Sequence, residues 1–275
     1  MLVNLQTVLK MAEDGGFCIP AFNVYNMETV IGVLHAAEET KAPIIMQIYP
    51  RLMKEETGYF LSPCVLAAAA RASVPVCFHL DHGPSELETT RSLRYGATGI
   101  MLDGSTLPFE ENIALTRRVV ETCAHLDVGV EGELGHVGFT KDEEMDEFTT
   151  PEDAKRFVEE TGVSCLAVAV GTAHGRYKQA PVLQIERIKE IKDEVKIPLV
   201  LHGGSGVPDE QIRLAVQAGI RKINFGTDLC YSFLDSVFAV DRKIYAIDLF
   251  MKDPIQAVKN FAVSKIQLLG ANERV

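Results

Sequence analysis

FCIPAFNVYN, residues 17–26, decides between two folds. The run FCIPAFN (17–23) reads as a buried strand that turns polar at Asn23, and a helical pattern starts at Met27. An open, doubly wound sheet that binds a dinucleotide carries a glycine fingerprint after its first strand, because the backbone must approach a pyrophosphate there. PAFNVYN has no glycine. The alternative is a closed barrel, which asks only that the strand–helix unit repeat eight times.

The unit does repeat. Seven further apolar runs follow: APIIMQI (42–48), VPVCFHL (74–80), ATGIMLD (97–103), DVGVEGE (127–133), SCLAVAV (164–170), IPLVLH (197–202) and RKINF (221–225). They are mostly continuous rather than alternating, as strands buried on both faces of a parallel sheet are. Helical patterns separate them. METVIGVLHAAEETKA (27–42) has apolar residues at helical spacing, and PEDAKRFVEETG (151–162) has Thr150 as N-cap and Pro151 in the first turn. VPDEQIRLAVQAG (207–219) ends in a glycine stop, and residues 1–16 form an amphipathic helix stopped by Gly15 and Gly16. No linker or low-complexity segment interrupts the series, so the expectation is an α/β fold, one (β/α)8 TIM barrel spanning residues 1–275 as a single domain.

The composition of the 275 residues sets limits on partners. Net charge is −11, which disfavours nucleic acid and anionic lipid, so neither is expected as a partner. No apolar run approaches the roughly 18 residues of a membrane span, and the N-terminus lacks a signal-peptide pattern. The six cysteines contain no CxxC pair and read as buried, reduced thiols of a cytoplasmic protein.

Barrel active sites lie at the C-terminal ends of the strands. The polar groups expected there are Asp81 and His82 after strand three, Asp103 after strand four, and Glu131 and Glu133 on strand five. Strand six gives His174, strand seven His202, and strand eight Asn224, Thr227 and Asp228. Three imidazoles at three strand ends suit one zinc ion with open positions, a catalytic arrangement, though cobalt or iron also fits such a set. His79, deeper in strand three, reads as a hydrogen-bonded core residue, and His35 and His125 as surface groups on helices. GGSG (203–206) and NFGT (224–227) offer backbone N–H groups after strands seven and eight, the usual phosphate position in such barrels. Lys178 adds positive charge nearby, and GHVGFTKDEEMDEFTT (135–150), with His136, reads as a mobile loop over the mouth. Zinc, phosphate and a carboxylic acid together suggest an aldol reaction. The ion acidifies a C–H beside a chelated carbonyl and holds the enediolate, while the acid exchanges a proton with an aldehyde oxygen.

HLDHG (79–83), VEGELG (130–135), AVGTAHGRYK (169–178), LHGGSGVPDEQI (201–212) and KINFGTDL (222–229) occur in the order found in one family. The chain resembles the class II, zinc-dependent ketose-bisphosphate aldolases, which include fructose- and tagatose-bisphosphate aldolases. The resemblance implies reversible cleavage of a ketose phosphate to dihydroxyacetone phosphate and an aldehyde. By motif it implies His82, His174 and His202 as zinc ligands, Asp81 as the aldehyde-side acid, and Asp103 and Glu133 as second or alternative metal ligands. Gly175, Lys178, Gly203, Gly204, Ser205, Asn224, Phe225, Gly226 and Thr227 correspond to the donor-phosphate cradle, beside which the family typically holds a monovalent cation. It further implies a homodimer or homotetramer.

Three departures accompany the resemblance. Tyr49 stands where the family has a serine, with Arg51 two residues on, and these become the candidate distal substrate contacts. Lys141 aligns with the loop glutamate that moves the donor's proton, which leaves Asp142, Glu143 or Glu144 as substitutes. VDRKIYAIDLFMKDP (240–254) lacks the family's Asp-Pro-Arg-Lys-Tyr wording. Two other readings compete. A zinc hydrolase would carry HxH on strand one, where FNVYN stands instead. A non-catalytic sugar-phosphate-binding homologue would be expected to have lost Asp81 or a ligand histidine, and all four residues are present.

Overall fold

In a computed structural model, eight parallel strands close into a barrel in chain order, with β8 pairing back to β1. The structure describes residues 1–135, 137, 148–175, 177 and 179–275. The strands are β1 (Ile19–Asn23), β2 (Ile44–Ile48), β3 (Val76–Gly83), β4 (Gly99–Leu102), β5 (Gly129–Leu134), β6 (Cys165–Val168), β7 (Leu199–Leu201) and β8 (Ile220–Phe225). Each overlaps one of the eight apolar runs, although β3 continues three residues past its run to Gly83, and β5 and β8 exceed theirs by one residue. Every strand residue is buried except the half-buried Arg221. That two-sided burial is why the runs are continuous: one face fills the barrel and the other meets helices.

Local chemistry sets the helix ends. The helix Met27–Thr40 starts with a capping box between Asn26 and Thr29 and stops short of residue 42 because Lys41 turns left-handed (φ 48°). Pro151–Thr161 follows Thr150, whose side chain accepts from the Asp153 N–H, as the sequence predicts. Asp209–Ala218 begins two residues later than expected, directly after Pro208. The first helix, Leu5–Gly15, plugs the barrel floor, with Leu5 packed against Gly99 and Gly129, the first residues of β4 and β5. The last helix, Lys252–Leu268, packs across Met27–Thr40 and Thr227–Ala239. The floor is therefore closed, and the opposite end is left for a site.

All six cysteines are free. Cys18, Cys77, Cys123 and Cys165 are buried as expected, whereas Cys64 and Cys230 are half-buried. Among the described residues no helix is long and apolar enough to cross a membrane.

Candidate active site

The end of β3 departs from regular strand geometry. Its pairing with β4 shifts between Leu80 and Gly83, and His82 adopts φ 48°. In a regular strand Asp81 and His82 would point to opposite faces. The bulge turns both into one cavity of about 500 Å³ at the C-terminal mouth. A left-handed histidine costs about 1–3 kcal/mol and persists only where its surroundings over-determine it. Here the backbone N–H donates to the Met101 sulfur, and both ring nitrogens have partners. Gly83 is required next: a Cβ would sit 2.6 Å from both the Leu80 side chain and the Met101 carbonyl.

Two carboxylates fix the orientation of two histidines. His82 Nδ1 lies 2.7 Å from Asp103 Oδ2, and His202 Nε2 lies 2.7 Å from Glu131 Oε1. Each of these nitrogens therefore carries the proton it donates, which leaves the other as a lone pair. Those remaining nitrogens, His82 Nε2 and His202 Nδ1, face each other at 2.8 Å. Two lone pairs at that distance repel unless a cation, a proton or a metal ion, lies between them. His174 completes the cluster, and one nitrogen from each of the three imidazoles lies within 4.8 Å of the others. Glu133 Oε2 is buried without a hydrogen-bond partner, 3.6 Å from His202 Nδ1 and 3.8 Å from His82 Nδ1. His82, Asp103 and Glu133 form a second set within 4.8 Å. An orphaned carboxylate oxygen beside converging imidazole lone pairs fits a divalent metal ion.

The electrostatics agree with this fit. Burial opposes charge on His82, but Asp81, Asp103 and Glu133 overcome it and push the imidazole up to about 9. Burial and then Asp103 push the Glu133 carboxyl up to about 8. Burial would raise Asp103, yet its bonds to His82 and to the Ser105 hydroxyl hold it well below the usual range. His202 is kept neutral by burial and by its positively charged neighbours His82 and Lys222. In the metal-free protein, then, the cation between the two rings is a proton on His82.

Asp81 is braced from both sides. Asn23 Nδ2, at the end of β1, donates to Oδ2 (2.7 Å), and Asn224 Nδ2, on β8, donates to Oδ1 (3.0 Å). Each amide is held in turn. Gln47 donates to the Asn23 oxygen (3.0 Å), and Lys222 donates to the Asn224 oxygen (2.7 Å). Lys222 also pairs with Glu131 at 2.8 Å, so the braces of Asp81 and His202 meet. Asn23, Gln47 and Lys222 were not anticipated as site residues. Their signal was a polar residue inside each of three apolar strands, PAFN, IIMQI and KINF.

The phosphate-cradle residues divide into two groups. Gly175, Gly203, Ser205, Asn224, Gly226 and Thr227 line the cavity, and so do Tyr49 and Arg51. Gly203 has φ 66°, and a Cβ there would meet the Ala173 carbonyl at 2.4 Å. Tyr177 ties the same two loops, its one hydroxyl proton lying between the carbonyls of Ala173 (2.7 Å) and Gly203 (3.0 Å). Phe225 and Gly204 are not among the lining residues. The Phe225 side chain is fully buried between Phe22 and Phe261, because alternation along β8 turns it away from the barrel interior that Asn224 faces. The Gly204 N–H is spent on the Asn224 carbonyl. His79 differs from expectation: it is buried, but neither ring nitrogen has a hydrogen-bond partner. His35 and His125 are exposed, as expected. Lys178, His136, Lys141, Asp142, Glu143 and Glu144 lie outside the described residues. Tyr25, which the sequence did not single out, lines the cavity as well.

The chain is similar in fold to several solved structures. The YdjI aldolase of Escherichia coli K12 is 35% identical, with a TM-score of 0.91 over 100% of this chain and 99% of that one. A putative fructose-1,6-bisphosphate aldolase of Coccidioides immitis is 26% identical, with a TM-score of 0.92 over 98% and 97% of the two chains. The fructose-bisphosphate aldolase (Fba) of Campylobacter jejuni, 24% identical, shares the fold with a TM-score of 0.84 over 100% and 97%. Residues 3–274 match the family described as fructose-bisphosphate aldolase class-II. With barrel, histidine cluster and braced carboxylate in place, the chain belongs to the class II fructose-bisphosphate aldolase family.

Proposed function

We propose that this chain is a zinc-dependent aldolase that interconverts a ketose phosphate with dihydroxyacetone phosphate and an aldehyde. The observation that carries this reading is the pair of facing imidazole nitrogens, 2.8 Å apart, beside a carboxylate braced by two amides. His82, His174 and His202 would hold the ion, with Asp103 and Glu133 as second or alternative ligands. Bound there, a divalent ion polarises a carbonyl and acidifies the neighbouring C–H.

The chain's own groups do the rest. Asp81 gives a proton to the aldehyde oxygen in condensation and takes it from the hydroxyl in cleavage. Asn23 and Asn224 hold its two oxygens in place for that transfer. Ser205 Oγ accepts from the Asp228 N–H, which leaves its own proton free to donate into the cavity. Gly226 and Thr227 stand at the start of the 13-residue helix Thr227–Ala239, where a phosphate is favoured by free N–H groups and the helix dipole. Gly175 and Gly203 complete the phosphate cradle, with Lys178 adding charge and a monovalent cation completing the neutralisation. One of Asp142, Glu143 and Glu144 moves the donor's carbon-bound proton. Tyr49 and Arg51, at the β2 side of the mouth, contact the distal end of the aldehyde.

The protein acts as one barrel domain, in the cytoplasm, and as a homodimer or homotetramer. The exposed Phe238, Tyr245 and Ile247, at 82%, 94% and 74% exposure, support a second copy as the partner of that face.

Proton exchange from dihydroxyacetone phosphate in deuterium oxide, followed by NMR, tests the reading without requiring the aldehyde. Exchange that a chelator abolishes and zinc restores is the expected result. A folded, zinc-loaded protein that exchanges nothing would overturn it.

A further inference from the structure

Lys222 is fully buried inside the barrel, a costly place for an ammonium group unless it is paired. Two of its three donors have acceptors: Glu131 Oε2 at 2.8 Å and Asn224 Oδ1 at 2.7 Å. The first acceptor orients His202 through Glu131 Oε1. The second fixes which way the Asn224 amide faces. With Oδ1 turned to an ammonium, the NH2 group must face the other way, and there it meets Asp81 Oδ1 at 3.0 Å. A flipped amide would set a carbonyl oxygen against a carboxylate oxygen.

We infer that Lys222 is a positioning residue for the aldol step: by pinning Glu131 and the Asn224 amide together, it locks the orientation of Asp81 to that of the metal-facing histidine. Lys222 itself lines no part of the cavity, so its effect on the reaction passes through Asn224 and Glu131. The inference rests on the aldolase reading for the word reaction alone; the geometric coupling stands without it. The competing account is simpler: Lys222 only neutralises a buried carboxylate.

The two accounts separate in a double variant. Lys222→Met leaves Glu131 charged and alone in the barrel, and that variant can fail to fold. Lys222→Met with Glu131→Gln removes both charges and so leaves no buried ion. If Lys222 only neutralises Glu131, the double variant matches Glu131→Gln in its Asn224–Asp81 contact and in kcat, and differs only in stability, because Glu131→Gln leaves the buried ammonium without a carboxylate. If it positions Asn224, two further losses appear. The crystal structure of the double variant shows the Asn224–Asp81 contact broken, whereas Glu131→Gln retains it. kcat for cleavage falls about 10–100-fold below that of Glu131→Gln, as for other residues that orient a site from behind, with KM and bound zinc unchanged. An intact Asn224–Asp81 contact in the double variant overturns the inference whatever the rate. A broken contact with kcat equal to that of Glu131→Gln overturns its catalytic part. The crystallographic comparison needs no turnover, so failure of the aldolase reading would not be mistaken for failure of the coupling.

Discussion

His79 and His82 sit three residues apart on β3, both buried, yet their surroundings drive them in opposite directions. Burial and then Lys222 bring the His79 imidazole down to about 3. Three carboxylates, Asp81, Asp103 and Glu133, lift His82 to about 9 against the same burial. A carboxylate is near His79 too, Glu131 at 3.5 Å, but Lys222 and His202 already bond both of its oxygens. Burial disfavours charge on both rings, and it decides the outcome at His79, whereas at His82 unneutralised carboxylates nearby outweigh it. The barrel interior is balanced, and the mouth has surplus negative charge that a cation completes.

Breaking the mouth should have the largest effect. Asp81→Asn keeps the shape and removes the proton carrier, so the rate of ketose phosphate cleavage should fall about 10²–10⁴-fold. Donor-proton exchange in deuterium oxide should persist, since Asp81 serves the aldehyde side. Loss of both would show that Asp81 is needed for donor activation as well. Asp103→Asn weakens the hold on His82 Nδ1 and should lower zinc affinity about 10–100-fold in competition with a chelator.

pH sharpens the contrast. In the metal-free protein His82 is raised from 6.5 to about 9, so its proton contributes stability that is whole below about pH 6.5. That contribution is lost as pH rises through about 9, and the proton that Glu133 keeps up to about 8 adds a loss of the same sign, each at up to about 1.4 kcal/mol per pH unit. Urea unfolding at several pH values should show this slope without zinc and lose it with zinc bound. His79→Leu should do least. It replaces an unpartnered buried imidazole, so stability should change by no more than about 1.5 kcal/mol and zinc affinity should not move. A large drop in zinc affinity for that variant would break the comparison, because His79 would then belong to the metal site.

The barrel was legible because burial on both strand faces writes itself as continuous apolar runs, and Gly, Pro and N-cap residues punctuate the helices between them. The three histidines were legible because strand ends are fixed by the same runs. The braces around Asp81 were not. Asn23 and Gln47 come from β1 and β2 and Lys222 and Asn224 from β8, Asn224 bonding Asp81 across 143 positions, and only closure of the barrel brings them together. Period-two alternation along KINF turns the Phe225 side chain outward once Asn224 faces the cavity, which leaves the expectation of backbone N–H groups in NFGT untouched. The left-handed backbone at His82 leaves no trace in composition or spacing.

That irregular turn at the end of β3 has a consequence for how the chain can vary. Exchanging one side chain for another leaves the strand in register, and a lost contact can be regained elsewhere. Removing or adding a single residue between Leu80 and Gly83 cannot be repaired in that way, because it straightens or doubles the offset and sends the acid and the metal ligand to opposite sides of the wall. Lineages descended from this scaffold are held at this point of the chain to a fixed length as well as to the glycine that closes the turn.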